Sequence, residues 1–367
     1  MMRIDIFCRV IDNYGDAAVA WRLAKSLVQL DPTLTVRLVV EGRQTFRALA
    51  PHTGQVEVWD AHDSAFDASL ADVWIEAFGE RSPATLLDQF CRGRARDLRC
   101  RLWIHLEYLT AEAWAVDYHL LPSPQGVTGV EKYFYVPGFR PGTGGLFQDR
   151  EFLARGERTG VSLRKDLWFR YAPGLPPDAF GVLVFSYEHD YTSFAKALAA
   201  WGSRTGRDVV VFAAAGRSQE ALGRSIAPPV RLVELPFVNQ SEFDQLLWTM
   251  DALVVRGEDS WARAVLMGKP FVWQAYLQPE GWQSVKVEAF LEVLRPWFAD
   301  QTLFDRWATL HRELNERNAE GQGRGDFSVL WEEAPALERA LGEFAQYAKN
   351  HLRLEASLLE FLRRFKV

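Results

Sequence analysis

The chain has 367 residues, 48% of them hydrophobic and 25% charged, a composition typical of globular proteins and a length that favours two domains. The net charge of -6 and the pI near 5.8 argue against a protein that binds nucleic-acid phosphates. Three cysteines without a C-x-x-C pair argue against disulfides and zinc. With no signal peptide or membrane-spanning apolar run, we predict a cytoplasmic protein without a membrane partner.

The first part of the chain alternates apolar strands with helical or irregular segments. A helix is predicted at 17–30, and strands are predicted at 3–10, 35–40, 55–59, 73–77 and 101–105. Nearly continuous apolar strands joined in this way are typical of a parallel, doubly wound sheet. The segment 121–145 is rich in Pro and Gly, and we predict an extended loop that leads out of the first domain.

The loop between the first strand and the first helix reads Ile-Asp-Asn-Tyr-Gly-Asp over residues 11–16. It lacks the glycines of the G-x-G-x-x-G dinucleotide motif, so an NAD site is not indicated. Asp12 and Asp16 are four residues apart around a glycine, and a folded loop could bring both carboxylates to one cleft. Alternatively, the two residues are simple caps, with Asp16 at the helix start.

A second βα series begins at residue 181. Strands are predicted at 181–188, 208–212, 230–235, 252–255 and 271–273, with helices at 191–201, 240–248 and 261–267. The chain closes with a long helical tract. The pattern of the first half therefore occurs twice, without a direct sequence repeat.

The turn from Arg256 to Ser260 lies between a buried strand and a helix. We predict Ser260 as the helix N-cap, where the positive end of the helix favours an anion such as a diphosphate. Glu258 and Asp259 could hold a ribose or sugar hydroxyl, or they could simply favour the helix start. Open α/β sheets bind ligands at the carboxyl ends of their strands, which favours a binding site here.

Two further side chains could bind a nucleobase. Phe243 could stack on the base or pack in the core, and Gln240 offers the paired donor and acceptor that match a pyrimidine edge. The sequence contains no D-x-D triad, so we predict that no metal ion holds the diphosphate.

These features together describe a sugar-nucleotide glycosyltransferase of the GT-B type. We predict two Rossmann-like, doubly wound α/β domains facing a cleft, with residues 1–158 on the acceptor side and residues 159–336 on the nucleotide-sugar side. The helical tract 337–367 is expected to pack across the domains.

Several motifs resemble one family, the protein-arginine rhamnosyltransferases called EarP, which modify elongation factor P. They are the loop 11–16 before Trp21-Arg-Leu, Phe185-Ser-Tyr-Glu188, the run from Leu235 to Asp244, Val255-Arg-Gly-Glu-Asp-Ser260, and Gly268-Lys-Pro-Phe-Val-Trp273. One departure is Ala17-Ala18-Val19, where the family pattern is Ile-Gly-Val. This departure bears on how the first helix packs and therefore on where Asp16 lies.

The resemblance implies an inverting, metal-independent transfer of rhamnose from dTDP-β-L-rhamnose to an arginine of elongation factor P, which would activate the factor against ribosome stalling at polyproline. Asp16 would be the general base, with Asp12 supporting the same loop and Glu258 as a third candidate carboxylate. The implied donor-binding residues are Phe185, Tyr187, Gln240, Phe243, Arg256, Glu258, Asp259 and Ser260.

Two other functions compete with this one. A GT-B enzyme with the same type of dTDP-sugar donor could act on a small molecule, because no acceptor-reading motif follows from the residues themselves. A non-catalytic sugar-nucleotide sensor is disfavoured, since degenerate enzymes usually lose their acids and this chain keeps Asp12, Asp16 and Glu258.

Overall fold

A computed structural model describes residues 2–9, 14–79, 81–96, 98–158, 161–176, 178–278, 280–316 and 325–366. The chain forms two compact units, which we call unit 1 (Met1–Arg150 with Ala348–Val367) and unit 2 (Glu151–Tyr347). These bounds differ from the predicted ranges. Unit 1 ends eight residues before the predicted boundary at 158, and the tract 337–367 is divided between the two units.

The strands of the described residues are β1 Arg3–Arg9, β2 Thr35–Glu41, β3 Glu57–Asp60, β4 Val73–Ala77, β5 Arg101–Leu106, β6 Val130–Tyr135, β7 Phe180–Val184, β8 Val209–Ala213, β9 Arg231–Glu234, β10 Ala252–Arg256 and β11 Phe271–Gln274.

The helices of the same residues are α1 Tyr14–Leu30, α2 Arg43–Leu49, α3 Ala84–Arg92, α4 Trp114–Tyr118, α5 Arg150–Arg158, α6 Val161–Tyr171, α7 Thr192–Thr205, α8 Ser218–Ser225, α9 Gln240–Thr249, α10 Asp259–Met267, α11 Gln283–Leu294, α12 Gln301–Asn315, α13 Val329–Glu332, α14 Ala334–His351 and α15 Leu354–Arg363.

The sheet of unit 1 has the strand order β3-β2-β1-β4-β5-β6, and every pair is parallel. Ile4 of β1 lies opposite Val36 on one side and Val73 on the other, so β1 and β4 are central neighbours. The order reverses between β1 and β4, which is the topological switch point where open α/β sheets bind ligands. The doubly wound sheet predicted for the first half is confirmed.

Strand β6 corrects the prediction of an extended loop over 121–145. It is an edge strand whose residues are mostly half-exposed, so it lacks the continuous apolar run of a buried strand. Gly129, with a φ of 79°, precedes it and Pro137 follows it, and these turn residues dominate the local pattern. Its parallel pairing with β5 makes it a strand.

The core of unit 1 joins helices from opposite ends of the chain. The predicted apolar face of α1 is buried at Val19, Leu23 and Leu27, and the same cluster contains Leu358 and Leu362 of α15. Each fully buried side chain of this size contributes roughly 1.5–3 kcal/mol relative to exposure. The C-terminal helix is therefore part of the core of unit 1.

The helical tract predicted over 337–367 is formed by two helices, α14 and α15, in the described residues. The break falls at Leu352 and Arg353, where the backbone pairs with Leu146 of the same unit. The Leu146 N–H donates to the Leu352 oxygen at 3.0 Å, and the Leu354 N–H donates to the Leu146 oxygen at 3.1 Å. These peptide groups are used in long-range pairing, so they cannot continue the helix.

The sheet of unit 2 has the order β11-β10-β7-β8-β9 and is also entirely parallel. Its switch point lies between β7 and β10, whose residues Leu183 and Leu253 are paired. Within the described ranges, none of the helices is both long enough and apolar enough to span a bilayer.

Candidate functional site

The carboxyl ends of β7 and β10 bring three predicted site residues together. Phe185 and Tyr187 follow β7, and Arg256 is the last residue of β10. The Cζ atom of Arg256 lies 4.6 Å from the ring centroid of Phe185 and 4.6 Å from that of Tyr187. A guanidinium this close to two aromatic rings makes cation–π contacts with both. The site therefore combines aromatic faces with a positive charge at the switch point.

Burial shifts the titration of both polar groups. It lowers the pKa of Arg256, whose guanidinium nevertheless stays charged at neutral pH, and it raises the pKa of the Tyr187 hydroxyl. The site therefore offers a permanent cation and a neutral phenol that can donate a hydrogen bond. A group bearing negative charge, such as a phosphate, suits both.

The backbone after β7 is held by its neighbour across the sheet. The Tyr187 N–H donates to Oε1 of Gln274 at 2.8 Å, and Gln274 is the buried last residue of β11. Sequence reasoning missed Gln274. It also missed Tyr276, which is 62% exposed and places its ring 5.7 Å from that of Tyr187. Their position directly at the end of a strand was the available signal.

The turn after β10 depends on Gly257, whose φ of 67° is costly for other residues. The indole N–H of Trp273 donates to the Gly257 oxygen at 3.0 Å and fixes the turn. Helix α10 then begins at Asp259, with Glu258 as its N-cap residue and without a side-chain capping bond.

The prediction that Ser260 is the N-cap is therefore wrong. Because Gly257 turns the chain early, Ser260 lies inside the first helical turn and is 5% exposed. The carboxylate of Asp259 lies 3.8 Å from the buried Arg263 guanidinium. The amino end of α10 still lies at the carboxyl end of β10, where its N–H groups favour an anion.

Phe243 and Gln240 lie on α9, which Asn239 caps by accepting the Glu242 N–H at 3.0 Å. The half-buried ring of Phe243 makes an edge contact with Phe185, with the centroids 5.4 Å apart. Phe185 is thus shared between Phe243 and Arg256. Gln240, the first residue of α9, is only 7% exposed.

Asp16 of unit 1 is in the first turn of α1, which starts three residues earlier than predicted. It is half-buried, and the two alanines after it are buried at 0% and 6% exposure, so small residues fit the close packing of this helix. Asp12 lies outside the described residues. Whether the carboxylates of Asp12 and Asp16 converge on one cleft therefore stays a prediction.

The edge of unit 1 that carries Asp16 also holds an ion pair. Arg9 at the end of β1 donates from Nε and Nη2 to the carboxylate of Glu41 at the end of β2, at 2.6 and 3.1 Å. No group of three or more His, Cys, Asp or Glu side chains suited to a metal ion occurs in the part of the chain that the structure describes.

Residues 4–363 match the model of the family described as elongation factor P (EF-P) rhamnosyltransferase EarP. The chain belongs to the EarP family. It is 34% identical to the protein-arginine rhamnosyltransferase of Pseudomonas putida, with 90% of this chain and 92% of that protein covered. The corresponding protein of Neisseria meningitidis is also 34% identical, with 85% and 82% covered. This EarP-family chain is accordingly a glycosyltransferase.

Solved structures agree on the fold of this EarP-family protein. A structure described as the basis for EarP-mediated arginine glycosylation of translation elongation factor EF-P has a TM-score of 0.63 at 24% identity and covers 99% of both chains. A glycosyltransferase from Rickettsia africae has a TM-score of 0.50 at 11% identity, with 99% and 97% covered. The predicted GT-B type of α/β fold is confirmed.

Proposed function

We propose that the protein transfers L-rhamnose from dTDP-β-L-rhamnose to an arginine side chain of elongation factor P, with inversion at the anomeric carbon and without a metal ion. The observation that carries this proposal is the convergence of Phe185, Tyr187 and Arg256 at a sheet switch point, in a chain that matches the EarP family over residues 4–363. Aromatic faces suit a base, and the guanidinium suits a diphosphate.

In this proposal unit 2 holds the donor. Phe243 and Gln240 hold the thymine. Two observations support this role for Phe243: its ring contacts the Phe185 ring of the site, and it is only half-buried. Glu258 holds the ribose. The ion pair of Asp259 with Arg263 supports a contribution from the Asp259 backbone N–H and not from its carboxylate.

Loss of the diphosphate needs charge neutralisation. The Arg256 guanidinium, the Tyr187 hydroxyl and the N–H groups near Ser260 would stabilise the departing diphosphate as the glycosidic bond breaks. A nucleoside diphosphate leaves without a strong general acid, so a single carboxylate is sufficient for inversion. Positive charge then develops at the anomeric carbon, as in glycoside hydrolysis.

The acceptor needs activation of a different kind. A guanidinium has a pKa above 12 and no free lone pair, so it is a poor nucleophile. Asp16 would orient the acceptor arginine and take its proton as the nitrogen–carbon bond forms. Asp12 would support the same loop.

The test is direct. The protein is incubated with elongation factor P and dTDP-β-L-rhamnose, and the factor is weighed intact and after digestion. We expect one deoxyhexose increment on an arginine peptide, and none with a factor in which that arginine is replaced by lysine. An unmodified factor, together with consumption of the donor in the presence of a small-molecule acceptor, would instead favour the GT-B alternative with a small acceptor.

A further inference from the structure

A segment of unit 1 is unusual in its charge. Residues 102–131 contain Glu107, Glu112, Asp117 and Glu131 but no lysine or arginine, in a chain with 42 basic residues. His119 within the segment is half-buried, and its Nδ1 accepts the Val136 N–H at 3.2 Å. Burial lowers the pKa of His119 to about 4, so its ring adds no positive charge at neutral pH. The segment's other histidine, His105, has its Nε2 3.1 Å from the carboxylate of Glu107. The segment therefore carries four acidic side chains and no lysine or arginine.

The same segment exposes large apolar side chains. Tyr108, Trp114, Val116, Tyr118 and Leu121 are between 38% and 49% exposed, and we call them the aromatic patch. The rings of Trp114 and Tyr118 pack edge to face with centroids 5.6 Å apart. Trp and Tyr are the residues most enriched at the energetic centres of protein interfaces. An exposed cluster of this kind indicates an interaction site.

The aromatic patch is held in place by contacts beneath it. Arg140 Nε donates to the Ala111 oxygen at 2.7 Å, and the Leu120 N–H donates to the Phe134 oxygen of β6 at 2.8 Å. Tyr108 stacks on Phe78, with the ring centroids 5.1 Å apart. The apolar side chains are therefore presented on a surface that is ordered before any partner binds, which lowers the entropic cost of binding.

The patch also lies at the relevant edge of the sheet. It follows the carboxyl end of β5, and Phe78 follows the carboxyl end of β4. The strands are parallel, so these ends share an edge with the end of β1, after which α1 carries Asp16. Two strand spacings, about 10 Å, separate β1 from β5. The aromatic patch and Asp16 therefore lie at the same edge of this sheet.

We propose that the aromatic patch, with Glu112 and Asp117 around it, is the docking surface for the protein acceptor. The matching surface of the acceptor is apolar and positively charged, and it lies next to the target arginine. This inference rests on the proposed function. Charge complementarity carries the choice of partner: an acidic surface attracts an arginine-bearing basic segment. It would repel an anionic lipid surface.

Two variants test the proposal. Trp114→Ala with Tyr118→Ala removes the edge-to-face pair, and Asp117→Lys reverses one exposed charge. The matched controls on α6 of unit 2 are Phe169→Ala, at a side chain that is 78% exposed, and Asp166→Lys. All five substituted positions are exposed, so we expect unchanged melting temperatures and unchanged dTDP affinity.

We expect the KM for elongation factor P to rise roughly tenfold or more in the patch variants, with kcat nearly unchanged at saturating factor, because the contacts are remote from the reacting atoms. The controls should behave as the wild type. The Asp117→Lys effect should shrink at high salt. A free arginine-containing peptide too short to reach the patch should be modified equally by all forms.

The outcomes separate the two proposals. If the wild-type protein does not modify elongation factor P, both the proposed function and the choice of this factor as the docking partner are overturned. If the wild-type protein modifies the factor and the patch variants keep a normal KM, only the docking surface is overturned. Patch variants that change from dimer to monomer in sedimentation, again with normal KM, would assign the patch to a second copy of the chain and overturn the proposal.

Discussion

Asp16 is the side chain on which the proposed chemistry depends. Asp16→Asn keeps the size of the side chain in the first turn of α1 but removes the proton acceptor. We expect turnover to fall roughly 10²-fold or more, with dTDP-rhamnose affinity nearly intact, because the residue acts on the arginine and not on the donor. Single-turnover kinetics with calorimetry of the donor checks both parts. Near-normal turnover would transfer the role to Asp12 or Glu258.

Phe243 distinguishes base stacking from core packing. Removal of its ring by Phe243→Ala should weaken dTDP binding by about 1–3 kcal/mol, the scale of a lost base–aromatic stack. Because the ring is half-buried and also touches Phe185, a modest loss of stability should accompany this. Calorimetry with dTDP gives the first quantity and thermal unfolding the second. A lowered melting point with unchanged affinity would make Phe243 a packing residue only.

Helix α10, whose amino end borders the site, ends at Gly268. Gly206 ends another helix in the same conformation, so the two positions can be compared for the free energy of unfolding that is lost when the glycine is replaced. Gly268 and Gly206 end their helices with φ of 66° and 68°. A Cβ at Gly206 meets nothing within 4 Å, whereas one at Gly268 would lie 2.8 Å from the Gly342 Cα of α14.

We therefore expect different costs for the same substitution. Gly206→Ala should lower the free energy of unfolding by about 1–2 kcal/mol, the cost of the left-handed backbone. Gly268→Ala should lose a further ~1–3 kcal/mol, since two backbones must move apart. Denaturant titration of both variants measures the difference. Equal costs would mean that α10 and α14 adjust freely.

Strand β11 is held along its edge by helix α12. The Trp273 N–H donates to Nε2 of buried His311 at 3.2 Å, while Asn315 accepts the Ala275 N–H at 2.7 Å and donates to the Trp273 oxygen at 2.9 Å. These side chains take the place of a further strand. Gln274, which fixes the Tyr187 backbone, lies between the two anchored residues.

The His311 contact makes this edge sensitive to acid. Burial lowers the pKa of His311 from 6.5 to about 3 in the folded protein. Below pH 6.5 the unfolded chain therefore binds a proton that the folded protein does not, so stability falls as the pH decreases towards 3. The slope is at most about 1.4 kcal/mol per pH unit. His311→Gln should remove this part of the slope between pH 6 and 5, as unfolding at each pH would measure. Identical slopes of unfolding free energy against pH for the wild type and His311→Gln would contradict this role of His311.

At the scale of the whole molecule, the proposed mechanism requires no metal ion. The positive charge for the diphosphate comes from Arg256 and the amino end of α10, and the sequence has no D-x-D triad. We expect full transfer in EDTA and no gain from added magnesium or manganese. Activity that vanishes in EDTA and returns with the metal would make Glu258 and Asp259 the candidate ligands.

Much of the fold was predictable because its signals are local. Strands such as β4 and β10 are continuous apolar runs, and the buried face of α1 repeats at helical spacing. The turn at 256–260 and its place after a buried strand also followed from the residues. The start of α10 did not, because the early turn at Gly257 depends on a bond from Trp273, sixteen residues away.

The sequence by itself determined two βα series, their parallel sheets and the family, since apolar periodicity and long motifs are carried by neighbouring residues. Tertiary structure alone decided that β6 is a strand, because its backbone is paired by β5 across a glycine- and proline-rich stretch. It also decided that α15 completes unit 1 and that Arg256 meets two rings at once. These contacts join residues far apart in the chain, so no local pattern records them.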